Sequence, residues 1–155
     1  MFGRKKEKTT FDNLSVYTAF HHVNGLPIAE NMLCEVFSYP NKLEFKTGTT
    51  SINLSKDKIT DMCIKTDTEI EKQTVSSVGG AISGAALFGP VGAIIGGRAK
   101  TKDIKTVTSY LIITYNDNGN LKYIGFDIKN NPPSATKLIN EFKKNCSTTS
   151  ISIEL

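Results

Sequence analysis

His21 and His22 are the only histidines of the chain, and they are adjacent. Neighbouring residues point to opposite sides of a strand and cannot share a helix face. A metal site there would need Cys or carboxylate ligands at compatible spacing, and none is local. His21-His22-Val23-Asn24-Gly25-Leu26-Pro27 is predicted to be a loop, punctuated by Asn-Gly and Leu-Pro, in which His22 caps backbone groups. Its residues His21, His22, Gly25, Leu26 and Pro27 are the candidate partner-contact segment. Gly92-Ala-Ile-Ile-Gly-Gly97-Arg98-Ala99 has the spacing of a phosphate-binding loop, but Arg98 stands where the phosphate-reaching Lys belongs. Ala99 cannot ligate magnesium, and no buried strand is predicted to lead into the segment. Cys34, Cys63 and Cys146 are isolated, without a CxxC pair or a His nearby in sequence, and suit free thiols in a reducing cytoplasm. No nucleophile–base pair can be assembled. The expectation is a protein that is not an enzyme, with no catalytic residues, cofactor or metal.

The more informative segment carries no chemistry. Val75 to Gly97 holds no charge, and glycines recur through it: Gly79, Gly80, Gly84, Gly89, Gly92, Gly96 and Gly97. Gly80 and Gly84 are one helical turn apart, as are Gly92 and Gly96, so each pair would line a helix face that another backbone could approach closely. Gly89-Pro90 divides the run, which predicts a hairpin of two short helices inserted over 75–99. Glycine costs about 1 kcal/mol per helical position relative to alanine, so a hairpin of this composition needs cover. Three shelters are open to it: its own sheet, the hairpins of other copies, or a membrane leaflet. A full span is disfavoured, because crossing takes about 20 helical residues and Pro90 leaves two arms near half that length. Self-association is the expectation adopted.

The remaining elements must hold this hairpin. Residues 9–22 fit neither the strand nor the helix period cleanly. From Met32 an antiparallel meander is expected, with strands near 33–39, 43–46 and 51–54 separated by turn residues. Ile59 to Glu71 alternates strictly and predicts one long strand with a wet face. Thr106 to Tyr115 is apolar on both sides, as befits a central strand. Asn116 to Asn120 is a hairpin turn, and Leu121 to Ile128 returns as the partner strand. Asn131-Pro132-Pro133-Ser134 opens a helix whose Ala135, Leu138, Ile139 and Phe142 share one face. Residues 147–155 are expected as a tail or edge strand.

The net charge of +4 is concentrated in a basic arm at residues 1–10, where Arg4, Lys5, Lys6 and Lys8 face one acidic residue, Glu7. Such an arm is expected to be a flexible, solvated tail that could also touch an anionic membrane surface at about 1 kcal/mol per basic residue. Nucleic acid is not an expected partner, since no basic helix or base-stacking aromatic motif accompanies it. No cleavable leader is visible, and Phe2 excludes N-myristoylation.

An antiparallel meander closed by one C-terminal amphipathic helix, over roughly 32–145, resembles the pleckstrin-homology (PH)-like barrel of small bacterial proteins. His22-x-x-Gly25-Leu26-Pro27 and Gly79-Gly80…Phe88-Gly89-Pro90-x-Gly92-Ala93-x-x-Gly96-Gly97 together resemble uncharacterised Gram-positive and prophage proteins. The resemblance implies an α+β, mainly β, single domain over 11–146 with a glycine-zipper hairpin insertion. It also implies a non-enzymatic protein-binding or scaffolding module, here expected to be cytoplasmic and homo-oligomeric, with the loop and open sheet edges as contact surfaces. The alternatives are a peripheral membrane protein inserting the hairpin into one leaflet, and a phage-encoded or anti-phage binding factor. Phosphoinositide recognition does not carry over, because only Lys42 and Lys46 stand in the first hairpin.

Overall fold

The computed structural model describes residues 13–70, 84–101 and 107–149. Seven antiparallel strands form one sheet: β1 (Val16–Asn24), β2 (Leu33–Ser38), β3 (Lys42–Thr47), β4 (Thr50–Ser55), β5 (Ile59–Thr66), β6 (Ser109–Asp117) and β7 (Asn120–Asp127). Their order is β4-β3-β2-β1-β7-β6-β5. A 3-10 turn at Lys56–Lys58 joins β4 to β5, a helix α1 (Gly84–Thr101) precedes β6, and a helix α2 (Pro132–Thr149) follows β7.

The expected meander forms where alternation and turn chemistry coincide. The β6–β7 turn uses Asn118 and Gly119 at φ 56° and 92°, and the Asn116 Oδ1 accepts the Gly119 N–H at 2.7 Å. Both φ values are positive, which matches the twist of the flanking strands. Strand β6 is internal and covered on both faces, with Tyr110, Leu111, Ile112 and Ile113 all buried.

Two covers explain that burial. Leu111 and Ile113 join the main core with Phe20, Leu43, Phe45, Ile124 and Phe126, and α2 adds Ala135, Leu138, Ile139 and Phe142 to it. Tyr110 and Ile112 point the other way, into a smaller core with Val23, Ile70, Val91 and Ile95. The second face of the sheet is therefore covered locally by α1.

Several expectations are corrected. The sheet does not close into a barrel: β4 and β5 are its two edges, with no ladder between them among the described residues. Instead the connection is tied to α2, where Glu141 Oε1 accepts hydrogen bonds from Lys56 Nζ and Ser38 Oγ, each at 2.9 Å. The long strand to Glu71 stops at Thr66, and residues 67–70 are helical. The reason is a capping box. Thr66 Oγ1 accepts the Glu69 N–H at 3.1 Å and Glu69 Oε1 accepts the Thr66 N–H at 2.8 Å, a reciprocal pair that starts a helix despite the alternating pattern.

His21 and His22 lie in β1, not in a loop. Strand β1 escaped detection because its inward face mixes Val16 and Phe20 with polar Thr18 and His22, all four buried. Val107, within the segment expected as a central strand, precedes β6 and is exposed. Residues 147–149 continue α2, so they form no edge strand. The predicted division at Gly89-Pro90 is a break in α1, with Phe88 at φ −132° and Gly89 at φ 63°, ψ −150°. Residues 75–83 of the expected hairpin's first arm, with Gly79 and Gly80, and the basic arm with Arg4, Lys5, Lys6 and Lys8 lie outside the described residues, while Gly84 opens α1.

Candidate functional site

The two segments singled out from sequence meet at one place. Gly25, which follows β1, and Gly89-Pro90, at the break in α1, line the same cleft of about 300 Å³ with Tyr115, Lys122 and Tyr123. Leu121 at its rim is 56% exposed. Lys122 Nζ lies 2.7 Å from Asp117 Oδ2, and the pair holds the Asp117 carboxyl below its ordinary range.

Tyr123 joins the two segments. At Gly25, φ is 109° and a Cβ would meet the Tyr123 carbonyl oxygen and the Ile124 Cα at 2.7 Å. At Gly89 a Cβ would fall 2.9 Å from the Tyr123 ring. Only glycine combines positive φ with so close an approach. The Phe88 ring meets Tyr123 edge-on, 6.0 Å between centroids.

His22 organises the loop that carries Gly25. Its side chain is buried, and both ring nitrogens reach backbone: the Leu26 N–H donates to Nε2 and Nδ1 lies 3.1 Å from the Ala29 oxygen. An amide N–H only donates and a carbonyl only accepts, so the ring is neutral with its proton on Nδ1. Burial pushes its pKa below the ordinary 6.5, against smaller opposing effects of the Ala29 and Asn24 backbone and Glu30. The backbone of His22 is engaged too, donating to the Met32 oxygen and accepting from the Asn31 N–H. Leu26 and Ile28 pack against the main core. The capping role expected of His22 is what the geometry displays, while Gly25 and Pro27 are exposed and His21 sits half-buried on the other face.

On α1, Val91 and Ile95 are fully buried against the sheet. The close approach that lets them dock is supplied by the sheet: a Cβ at Gly125 in β7 would collide with Val91 Cγ1. Gly92 is buried beside them. Added Cβ atoms at Gly96 and Gly97 would meet nothing within 4 Å, so these two glycines are not required by packing among the described residues. Tyr123 and Gly125 escaped the sequence reading. A glycine inside the Leu121–Ile128 strand pattern is a signal of close backbone approach; Tyr123 gave none.

Among the described residues, no group of three or more His, Cys, Asp or Glu side chains could hold a metal ion. Burial pushes the Cys34 thiol up to about 11 and raises that of Cys63, so neither is a ready nucleophile. Lys42 and Lys46 lie over the Tyr39 and Phe37 rings, 5.3 and 5.2 Å from their centroids.

Residues 22–126 match the family described as glycine zipper containing PH domain. The chain belongs to this family. The matched stretch begins at His22 and ends at Phe126, whose rings meet edge-on 6.1 Å apart, and it holds Gly25, Gly89 and Tyr123. A search of curated proteins finds no match to this chain. PH-like domains are in general binding or scaffolding modules rather than enzymes, and the antiparallel sheet with its C-terminal helix agrees with that fold.

Proposed function

We propose that this PH-like domain is a non-catalytic scaffold that associates with copies of itself through the glycine-bearing side of α1. The observation that carries this is the division of the helix surface. Val91 and Ile95 face the sheet, while a Cβ added at Gly96 or Gly97 would meet nothing within 4 Å among the described residues. Each such glycine costs the helix about 1 kcal/mol relative to alanine. Close approach of a second helix would offset that cost, and a sister α1 offers a surface of the same kind. The free Cys34 and Cys63 suit a reducing compartment such as the cytoplasm.

The test is the molar mass in solution by size-exclusion chromatography with light scattering. The wild type is expected to be oligomeric. Gly96→Leu and Gly97→Leu are expected to shift it towards monomer without unfolding it, because both positions have room. The signs separate two cases: leucine should raise the stability of an isolated α1 while weakening assembly. A monomeric wild type, or leucine variants of unchanged mass, would overturn the reading.

Insertion into one leaflet is the alternative for the same surface. No described helix is long and apolar enough to cross a membrane, so insertion would be shallow. Flotation with anionic liposomes decides it, and recovery in the soluble fraction alone removes it. Neither the family match nor the fold favours a phage-linked or defence role over any other setting for a scaffold.

A further inference from the structure

We propose that His22 is a proton-operated latch: protonation at Nε2 breaks its bond to Leu26 and frees the loop between β1 and β2, withdrawing Gly25 from Tyr123 and reshaping the cleft beside the α1 hinge.

The geometry leaves the ring one working state. The Leu26 N–H donates to Nε2 at 3.1 Å, so that nitrogen must keep its lone pair. A proton taken from solvent onto Nε2 turns this acceptor into a donor facing another donor, and the bond is lost. The Nδ1–H bond to Ala29 survives in either state, as do the two backbone bonds of His22 to Asn31 and Met32. The loop therefore stays tethered at its far end and opens at the Gly25–Leu26 end. That is the end wedged against β7, where Gly25 has no room for even a Cβ beside Tyr123 and Ile124. Tyr123 in turn touches the only described break in a helix, at Phe88 and Gly89. A change at Leu26 is thus passed through Gly25 and Tyr123 to the hinge by direct contact.

The charges around the ring are few. Within the loop Glu30 favours the protonated form. Strand β7 presents Phe126 opposite His22, while Asp127 pairs with His21 on the other face. Met32, just before β2, supplies its backbone oxygen, and Glu35 on β2 shares the face of His21. The buried residues of α1 and α2 are uncharged: Val91 and Ile95, then Ala135, Leu138, Ile139 and Phe142. Burial thus prevails over Glu30, the latch is closed at neutral pH, and it opens below the ordinary histidine range.

The experiment is a nuclear magnetic resonance titration of the full chain between about pH 7.5 and about pH 5. Ring nitrogen shifts should report the Nδ1–H tautomer at the upper end. On acidification His22 should titrate with a midpoint below 6.5, and the Leu26 amide, Gly25 amide and Tyr123 ring should move with the same midpoint while Leu26 loses exchange protection. His22→Gln, whose amide can accept from Leu26 and donate to Ala29 without titrating, should hold the loop closed and abolish these shifts. A ring carrying its neutral proton on Nε2 would overturn the proposal. So would Leu26 and Tyr123 signals that ignore His22 protonation, or a His22→Gln protein with unchanged pH dependence. The wild-type tautomer and midpoint decide the matter even where the variant does not fold.

Discussion

Substituting Gly125 by alanine should lift α1 off the sheet, and removing the obstructing atoms of Val91 should let it return. The new Cβ would collide with Val91 Cγ1 and lie 3.5 and 3.6 Å from Val91 Cγ2 and Cβ. Val91 is completely buried, and a helical valine has essentially one χ1 rotamer, so the side chain cannot turn aside. Overpacking of this kind costs about 1–3 kcal/mol, reduced by about 0.4–1 kcal/mol because alanine restricts the unfolded chain more than glycine does. A net loss of about 1–2 kcal/mol is expected for Gly125→Ala. Val91→Ala removes two buried methyl groups at about 0.8 kcal/mol each, with a further cavity contribution. Were the two changes independent, their losses would sum to about 3 kcal/mol. In the double variant the atom in the way is gone, and the methyl group added on β7 fills part of the space it left. The combined loss should fall short of the sum by at least about 1 kcal/mol. Urea unfolding followed by circular dichroism measures all four proteins of the cycle. Additivity within about 0.5 kcal/mol, or a Gly125→Ala protein as stable as the wild type, would refute the docking of α1 on β7.

Gly25→Ala should destabilise by about 1–3 kcal/mol through its positive φ and the contact with Ile124, whereas Gly48→Asn, at φ 56° with open space around it, should be nearly neutral in thermal unfolding. Thr66→Ala should lose about 1 kcal/mol by removing the capping box. In that box the Glu69 carboxyl is held below its ordinary range, first by the Thr66 N–H. Its contribution is present above the unfolded carboxylate value and is lost as pH falls through the folded one, so the wild-type advantage over Glu69→Gln should shrink in acid. Glu141→Ala strands Lys56 and Ser38 together and should cost about 3 kcal/mol, more than the double change Lys56→Met, Glu141→Leu, as denaturant midpoints would reveal. Cys34, pushed up to about 11, should resist a thiol reagent at mildly alkaline pH until the protein is unfolded.

These experiments probe different parts of one design. The cleft brings together the β1–β2 loop and the α1 hinge, and Tyr123 is the contact between them. Loss of the Gly125–Val91 contact should loosen α1 without disturbing His22, whose hydrogen-bond partners are all within its own loop or the lead-in to β2. A latch response that survives Gly125→Ala would therefore place the trigger in the loop, independent of the docking of α1.

The amino-acid sequence by itself determined the elements whose signals are local. Alternation with short turns specified β2 to β4, Asn118-Gly119 specified the β6–β7 hairpin, and spacing at 135, 138, 139 and 142 specified the inner face of α2. The break at Gly89-Pro90 was legible for the same reason, since backbone freedom and a missing N–H act within a turn of chain. The Thr66–Glu69 capping box was also local, yet it was hidden under an alternating pattern that pointed to strand.

Tertiary structure alone decided the rest. Buried Thr18 and His22 make β1 look irregular until their partners are seen: Asn131, far along the chain, donates to Thr18, and the loop satisfies His22. Only the pairing of β1 with β7 brings Gly25 onto Tyr123. Only the docking of Val91 against Gly125 shows that α1 finds part of its cover on its own sheet, with room for a Cβ at Gly96 and Gly97 among the described residues. Which atoms fill the space beside a glycine depends on strand order and register, and those are set by burial summed over the whole domain rather than by any neighbouring residue.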